Sequence, residues 1–166
     1  MSNAIVESYS TDSEYEARLL ISTCADKAEL CDNIRCAKAI LKSFPIEKIV
    51  IRGHSKVRGM KNPEYIINNY MADRKGIAGY KGVRNGFQSA IGQGAKVVVI
   101  DLDKHLSTLP LRISELSRRI SWRYSDFVTS RIVMCYVVYH GQAVRIDKES
   151  AAQRKSIEYI LKKLKP

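Results

Sequence analysis

NPEYIINNYMADRKGIAGYKG, residues 62–82, is the stretch on which the interpretation of the fold depends. Asn68 and Asn69 separate two short runs of strand-forming residues, and asparagine tolerates the left-handed backbone that tight hairpin turns need. The second run ends in a charged triplet, DRK, and leads into a glycine-spaced loop that carries Tyr80 and Lys81. The stretch therefore predicts a β-hairpin whose charged end is either structural or part of a functional site.

The segments on either side of this hairpin predict a mixed order of helices and strands. Helices are predicted over most of the first forty-odd residues in two pieces, over VRNGFQSAI (83–91), from Pro110 and from Glu149. Strands are predicted for EKIVIRG (47–53), AKVVVIDL (95–102) and SRIVMCYVVYHGQAVRI (130–146), the last with a tight turn at His140 and Gly141. The sequence thus predicts an α+β fold, with N-terminal helices packed on a small, mainly antiparallel sheet with further helices. It predicts a single domain over residues 1–166, with a helical part (1–45), a sheet-containing core (46–147) and a basic C-terminal helix (148–166).

Charge is distributed unevenly along the 166 residues, whose formal net charge is +11. Residues 1–32 contain two basic and seven acidic residues, so the remainder has twenty-six basic against ten acidic residues. A cationic domain of this kind attracts polyanions and accelerates their encounter. The charge predicts a nucleic acid as the partner, with an anionic membrane surface or a merely basic surface as the alternatives.

The cysteine content and the hydropathy exclude several other classes. Four cysteines occur at spacings that match no zinc motif, which indicates buried free thiols. No apolar run approaches the length of about 18 residues that a membrane span needs, and the acidic N-terminus lacks a secretion signal. We expect a protein without a membrane segment that acts in the cytoplasm, either where it is made or after delivery into a target cell.

Residues 46–86 contain the side chains needed for metal-independent RNA cleavage. Nine of these residues are Lys or Arg and three are acidic. Such cleavage requires a base for the 2′-hydroxyl, a cation for the charge that develops on the phosphate, and an acid for the leaving oxygen. The candidate catalytic residues are His54, Lys61, Asp73, Lys75, Tyr80 and Arg84, and the candidate nucleic-acid-binding residues are Lys56, Arg58, Arg74 and Lys81. Each cation also fits the description of a solvated surface charge.

Asp73 and Lys75 allow a second mechanism. Residues two apart on a strand point to the same face, and a carboxylate two positions before a lysine is the spacing of PD-(D/E)xK metal-dependent nucleases. In this interpretation Glu64 and Asp73 hold Mg²⁺ and Lys75 orients the water. The predicted order of helix, three strands, helix and strand also suits that fold. A simple salt bridge between Asp73 and Lys75 is the structural alternative.

NPEYIINNYMADRKG, followed by a basic helix and GAKVVVIDL, resembles a motif of the C-terminal tRNase domains of contact-dependent growth inhibition toxins. Pro63 and Glu64 match the Pro-Asp of that motif, and Asp73 and Lys75 match its acidic-x-Lys. Gln93 and Ala95 stand near its Gln-Ala pair, although not in the same order, and the match spans about residues 48–147. This sequence departs from the motif in having Arg74 at an apolar position and Glu64 in place of Asp.

The resemblance implies the fold shared by barnase, EndoU, colicin-type anticodon nucleases and RelE, with metal-independent cleavage of tRNA or another structured RNA and no cofactor. It also implies an acidic immunity protein as a partner. Two other interpretations stay open: the Mg²⁺-dependent nuclease with Glu64 and Asp73 as metal ligands, and a non-catalytic nucleic-acid-binding accessory domain of a mobile element.

Overall fold

One eight-stranded sheet runs through the protein, in a computed structural model that describes residues 8–105 and 111–165. The strands are β1 (Tyr9–Asp12), β2 (Glu16–Ser22), β3 (Ile49–Ile51), β4 (Tyr65–Ile67), β5 (Tyr70–Gly76), β6 (Val97–Asp101), β7 (Met134–Tyr139) and β8 (Gln142–Asp147). The helices are α1 (Leu30–Ser43), α2 (Gly82–Gly92), α3 (Ile113–Ser121), α4 (Tyr124–Val128), α5 (Lys148–Ala151) and α6 (Arg154–Leu161), with a single 3₁₀ turn at Asp103–His105.

The strands lie side by side in chain order, in a mixed sheet. Antiparallel pairing joins β1 to β2, β3 to β4, β4 to β5, and β7 to β8. Parallel pairing joins β2 to β3, β5 to β6, and β6 to β7. The α+β class is confirmed, and the sheet is larger than the small one expected because two N-terminal strands extend it.

Helices cover both faces of the sheet. Side chains of successive strand residues point to opposite faces, so one strand contributes to the core on each side. Val97 and Val99 of β6 pack in a core with α1, whereas Val98 and Ile100 pack in a second core with the helices that follow β5. All five residues of β6 are buried, as a central strand with both faces covered requires.

Both predicted hairpin turns are confirmed. Asn68 and Asn69 have φ angles of 48° and 72° between β4 and β5, and His140 and Gly141 have φ angles of 49° and 68° between β7 and β8. Two successive residues at positive φ are characteristic of the type I′ turn, whose twist matches that of the flanking strands.

The prediction of two N-terminal helices is wrong for residues 9–22. These residues form β1 and β2, and β2 pairs in parallel with β3, so a partner distant in the sequence decides their conformation. The predicted C-terminal helix is divided into α5 and α6 at Gln153, which has an extended backbone. The predicted helix start at Pro110 and residues 1–7 lie outside the described residues.

Four cysteines are free thiols, as expected, but only Cys36 and Cys135 are buried, since Cys31 is exposed and Cys24 is half-buried. No helix within residues 8–105 and 111–165 is long and apolar enough to cross a membrane.

The elements from α1 to β6 occur in the order helix, three strands, helix, strand. Strands β3, β4 and β5 form an antiparallel meander, and β6 lies parallel to β5 after the crossover through α2. This is the order that the PD-(D/E)xK interpretation expects. It places the start of β4 beside the end of β5.

Candidate functional site

Glu64 and Asp73 are brought together by the register of the β4–β5 hairpin. Tyr65 of β4 is paired with Ala72 of β5, so the preceding Glu64 lies opposite Asp73. Directly opposed residues of an antiparallel pair project from the same face of the sheet. The main-chain N–H of Arg74 donates a hydrogen bond of 2.9 Å to Oε2 of Glu64, which fixes the Glu64 carboxyl group at the edge of β5.

The close approach of these two acids changes how Glu64 ionises. Burial raises the pKa of Glu64 to about 8, and the adjacent Asp73 carboxylate acts in the same direction. The hydrogen bond from the Arg74 N–H opposes this rise without reversing it. At neutral pH the pair therefore retains a proton, as expected when two like charges share one buried location.

Lys75 completes the group. Its Nζ lies 2.7 Å from Oδ2 of Asp73, in an ion pair that is not aligned as a hydrogen bond. Oδ2 consequently remains a buried oxygen without a hydrogen-bond donor among the described residues. The aliphatic stem of Lys75 passes over Gly86 of α2, where an added Cβ atom would lie 3.4 Å from the Cβ of Lys75. The helix thus supports the lysine from behind.

A cavity of about 70 Å³ reaches Glu64 from the surface. It is lined by Asp26, Glu29, Asn33, Arg52, Gly53, His54, Asn62, Pro63 and Glu64. It opens beside a groove of about 1190 Å³ between residues 23–27 and the loop that begins at Arg52, and the two share Asp26, Arg52, Gly53 and His54. Lys56 and His54, which line the groove, are exposed.

The basic loop between β3 and β4 is held at defined points. The guanidinium group of Arg52 donates a hydrogen bond of 2.9 Å to the carbonyl oxygen of Pro63, and the N–H of Arg52 donates to the carbonyl oxygen of Glu64 at 2.8 Å. The amide group of Asn62 bridges the loop by accepting from the N–H of Ser55 and donating to its carbonyl oxygen. Glu64 is therefore anchored on both sides of its backbone.

Arg74 lies on the opposite face of β5 and has a different function from the one predicted. Its side chain is 4% exposed and is paired with Asp101, with Nη1 3.0 Å from Oδ2, and with Glu29. Its Nε donates to Oδ1 of Asn33 at 2.8 Å. Arg35 also binds Asp101, at 2.7 Å. Because these bonds keep Arg74 buried, it is not available to bind nucleic acid.

Two predicted catalytic residues lie away from the carboxylate pair. The hydroxyl of Tyr80 accepts a hydrogen bond of 2.6 Å from the N–H of Arg112, and its ring belongs to the core around α2. Burial raises the pKa of Tyr80, which makes its phenolate less accessible. Lys61 is exposed, and its side chain passes close to Gly94, after the end of α2. Tyr80 is therefore a structural residue.

Lys81 and Arg84 line a separate cavity of about 330 Å³. It also contains Asn85, Arg119, Trp122 and Arg123. Trp122 is 61% exposed, an unusual state for the single tryptophan of the chain. Sequence reasoning missed Trp122, although RRISWR, residues 118–123, combines arginines with an aromatic residue in a way that suits nucleic-acid binding.

The residues around Glu64 fit a divalent cation of the Mg²⁺ type. Mg²⁺ is commonly held by one or two carboxylates together with waters and substrate phosphates. Glu64 and Asp73 supply two carboxylates, and the buried Oδ2 of Asp73 has an unused acceptor position. No cluster of three or more acidic, histidine or cysteine ligands occurs in the described part of the chain.

Comparisons with known proteins give one structural neighbour. No protein-family model and no curated protein sequence matches this chain. Among solved structures, the chain is similar to one described as "CdiA-CT/CdiI toxin and immunity complex from Burkholderia pseudomallei". The TM-score is 0.46 and the identity is 18%, over 75% of this chain and 91% of that chain.

Proposed function

We propose that this protein is a toxin-type nuclease that cleaves tRNA or another structured RNA, with Glu64, Asp73 and Lys75 as its catalytic centre. The observation that carries the proposal is the meeting of Glu64, which immediately precedes β4, with Asp73 and Lys75 of β5. Asp73 faces Glu64 across the hairpin and has Nζ of Lys75 2.7 Å from its Oδ2. Two carboxylates beside a lysine provide the charges that phosphodiester hydrolysis needs.

Each residue of this centre has a distinct role. Glu64 and Asp73 would hold a divalent cation, and a bound Mg²⁺ supplies charge stabilisation for the phosphate and a more acidic water. Lys75 positions the attacking water and balances the charge of Asp73. Helix α2 packs against the stem of Lys75 at Gly86, where an added Cβ atom would lie in ordinary contact with the lysine Cβ, at 3.4 Å.

The groove beside Glu64 accounts for substrate binding. Lys56 lies in the groove and Arg58 lies just beyond it on the same loop, and both side chains are exposed. They would bind phosphates of a strand that passes the mouth of the Glu64 cavity. The choice of RNA and of a toxin context rests on the resemblance of about residues 48–147 to toxin tRNase domains.

Purified protein incubated with total tRNA tests the proposal. We expect cleavage with Mg²⁺, none with excess EDTA, and none with Asp73→Asn in the presence of Mg²⁺. Glu14→Gln is the matched control, because Glu14 is an exposed carboxylate paired with Lys38 at 3.6 Å. Undiminished cleavage by Asp73→Asn would contradict the assignment of this centre.

A metal-independent ribonuclease centred on His54 is the second candidate. The observation that favours it is that exposed His54 lines both the groove and the Glu64 cavity. In this mechanism the 2′-hydroxyl attacks and the product ends in a 2′,3′-cyclic phosphate, whereas attack by water leaves none. Cleavage that resists EDTA, is lost in His54→Ala and gives cyclic ends would establish this candidate in place of the first.

An acidic inhibitor protein is the partner that a toxin of this charge requires. Its expected contact is the basic groove with Lys56 and Arg58, since complementary charge speeds association. The proposal is tested by competition: a cognate acidic protein should displace tRNA from the wild type, and Lys56→Glu should weaken its binding. Binding unaffected by Lys56→Glu would place the inhibitor elsewhere.

If the protein binds tRNA with a steep salt dependence and leaves it intact under all conditions, it is a binding domain.

A further inference from the structure

The cavity between α2 and the end of α3 has the composition of a nucleotide site. Lys81, Arg84 and Asn85 line it from α2, and Arg119, Trp122 and Arg123 line it from the other side. We propose that it holds an unpaired nucleobase of the RNA substrate, stacked on Trp122 with its flanking phosphates on Lys81 and Arg84. The identity of the ligand as RNA rests on the proposed function.

Trp122 is an exposed aromatic residue at the edge of the cavity, with 61% of its surface accessible. The guanidinium carbons of Arg118 and Arg119 lie 5.3 Å and 5.1 Å from the ring centroid. Both arginines are also bound to Glu115, which holds their guanidinium groups beside the ring. With 61% of its surface exposed, the indole retains a free surface toward solvent. An arginine-backed aromatic ring is the kind of platform on which bases stack.

The cations of the cavity fall into two groups. Arg119 is bound by Glu115 at 3.0 Å and Arg123 by Asp126 at 2.6 Å, which fixes their positions. Lys81 and Arg84 have no ion-pair partner within residues 8–105 and 111–165, and both are exposed. Two uncompensated cations beside a free aromatic surface match a base with its phosphates better than an apolar peptide.

The position of the cavity is compatible with a strand that also reaches the catalytic centre. Gly86 of α2 faces Lys75, whereas Arg84 and Asn85 face the cavity. The two locations are therefore separated by about the width of one helix, roughly 10–12 Å. A single-stranded nucleic-acid site covers about 4–16 nucleotides, so one bound strand is long enough to reach both locations.

The only tryptophan in the chain makes stacking directly measurable. The probe is an unstructured RNA of about twelve nucleotides with 2′-O-methyl groups, added in EDTA so that it remains intact. We expect saturable quenching of Trp122 fluorescence by this strand. The same strand in a duplex and inorganic polyphosphate of equal charge should give little quenching at equal occupancy, because neither presents a free base.

Variants of Trp122 test the contribution to affinity, measured by anisotropy of the dye-labelled strand. Trp122→Ala should weaken binding by about five- to a hundredfold, the range of one base–aromatic stack, and Trp122→Phe should restore most of it. Tyr159→Ala is the matched control, since Tyr159 is 70% exposed with Nζ of Lys163 5.4 Å from its ring centroid on a different helix. It should leave the affinity unchanged.

The outcomes separate this inference from the nuclease assignment. Equal binding by wild type and Trp122→Ala, or equal quenching by polyphosphate, would overturn the base site. Loss of inhibitor binding in Trp122→Ala with unchanged RNA binding would also overturn it and identify a protein interface. If the strand stacks on Trp122 but no RNA is cleaved with Mg²⁺, the nuclease assignment fails and the base site stands.

Discussion

Glu64 lies opposite Asp73 across the β4–β5 hairpin, and burial together with this neighbour raises the pKa of Glu64 to about 8. The buried pair therefore binds a proton in the folded, metal-free protein that the unfolded chain releases near pH 4.5. The pair thus lowers the free energy of unfolding, and this loss increases as the pH rises.

The first prediction follows from that proton. Between pH 4.5 and about 8 the folded state binds more protons than the unfolded state, so the free energy of unfolding should fall as pH rises. The upper limit is about 1.4 kcal/mol per pH unit. Urea unfolding of metal-free protein at pH 6 and pH 8 measures the change, and Glu64→Gln should remove much of this slope. An equal slope in Glu64→Gln would show that other groups cause it.

Added Mg²⁺ or Mn²⁺ should counteract the fall in the free energy of unfolding at high pH, because a cation competes with the proton that Glu64 and Asp73 share. The gain in unfolding midpoint on adding the cation should be larger at pH 8 than at pH 6. Asp73→Asn should lose the gain at both values. A gain that survives in Asp73→Asn would place the cation elsewhere.

Lys75 should affect the chemical step more than substrate binding. Lys75→Met should lower kcat by about 10²–10⁴-fold, the contribution typical of a group that assists proton transfer, with a small effect on KM. Steady-state cleavage of a labelled RNA separates the two constants. Lys38→Met is the matched control, because Lys38 is also a half-buried lysine paired with carboxylates, Asp12 and Glu14.

Lys56 and Arg58 should contribute to RNA affinity only through contacts with the RNA phosphates. Each phosphate contact contributes about 0.7 to the slope of log affinity against log salt for a single strand. The double variant Lys56→Ala, Arg58→Ala should therefore reduce the slope by about 1.4. Binding titrations over a series of salt concentrations test this, and the double variant Lys155→Ala, Lys162→Ala, with one change in α6 and one at its C-cap, controls for net charge. An unchanged slope would remove the loop from the RNA interface.

Arg74 should govern stability. Arg74→Ala removes the partner of Asp101 and Glu29 and leaves a buried charge undercompensated, which typically costs about 3–5 kcal/mol. Urea unfolding measures the loss. Arg58→Ala, at an exposed position, should change stability by less than about 0.5 kcal/mol. A similarly small loss in Arg74→Ala would show that Arg35 alone suffices for Asp101.

Gly86 should tolerate alanine. An added Cβ would contact Lys75 at 3.4 Å and Ile100 at 3.7 Å, which are ordinary contact distances. Removal of a glycine from a helix interior gains about 1 kcal/mol, so Gly86→Ala should unfold at a higher urea concentration. Gly94→Ala, at a φ of 78°, should instead destabilise the protein.

The parts of the fold that were predictable are those encoded locally. Asn68-Asn69 and His140-Gly141 have turn chemistry that acts over a few residues, and the β-branched apolar run at 97–100 favours a buried strand. Residues 9–22 lack such signals, because their strand conformation comes from pairing with β3 across the length of α1. No pattern among neighbouring residues of the sequence indicates that pairing with β3.

The candidate site was predictable to a similar extent. The spacing of Asp73 and Lys75 placed both on one face, and the hairpin turn placed Glu64 opposite. The burial of Arg74 was not predictable, because its partner Asp101 lies on a different strand. The sequence of the charged triplet, residues 73–75, does not show whether Arg74 contacts solvent or a buried carboxylate.

Asp73 and Arg74 are neighbours on β5 that serve opposite faces of the sheet. A slip of one residue in the pairing of β5 would exchange those faces and separate Glu64 from Asp73. The bonds of Arg74 to Asp101, Glu29 and Asn33 fix that alignment. The meeting of Glu64, Asp73 and Lys75 therefore exists only in the folded chain, and an unfolded chain lacks the arrangement on which the proposed chemistry depends.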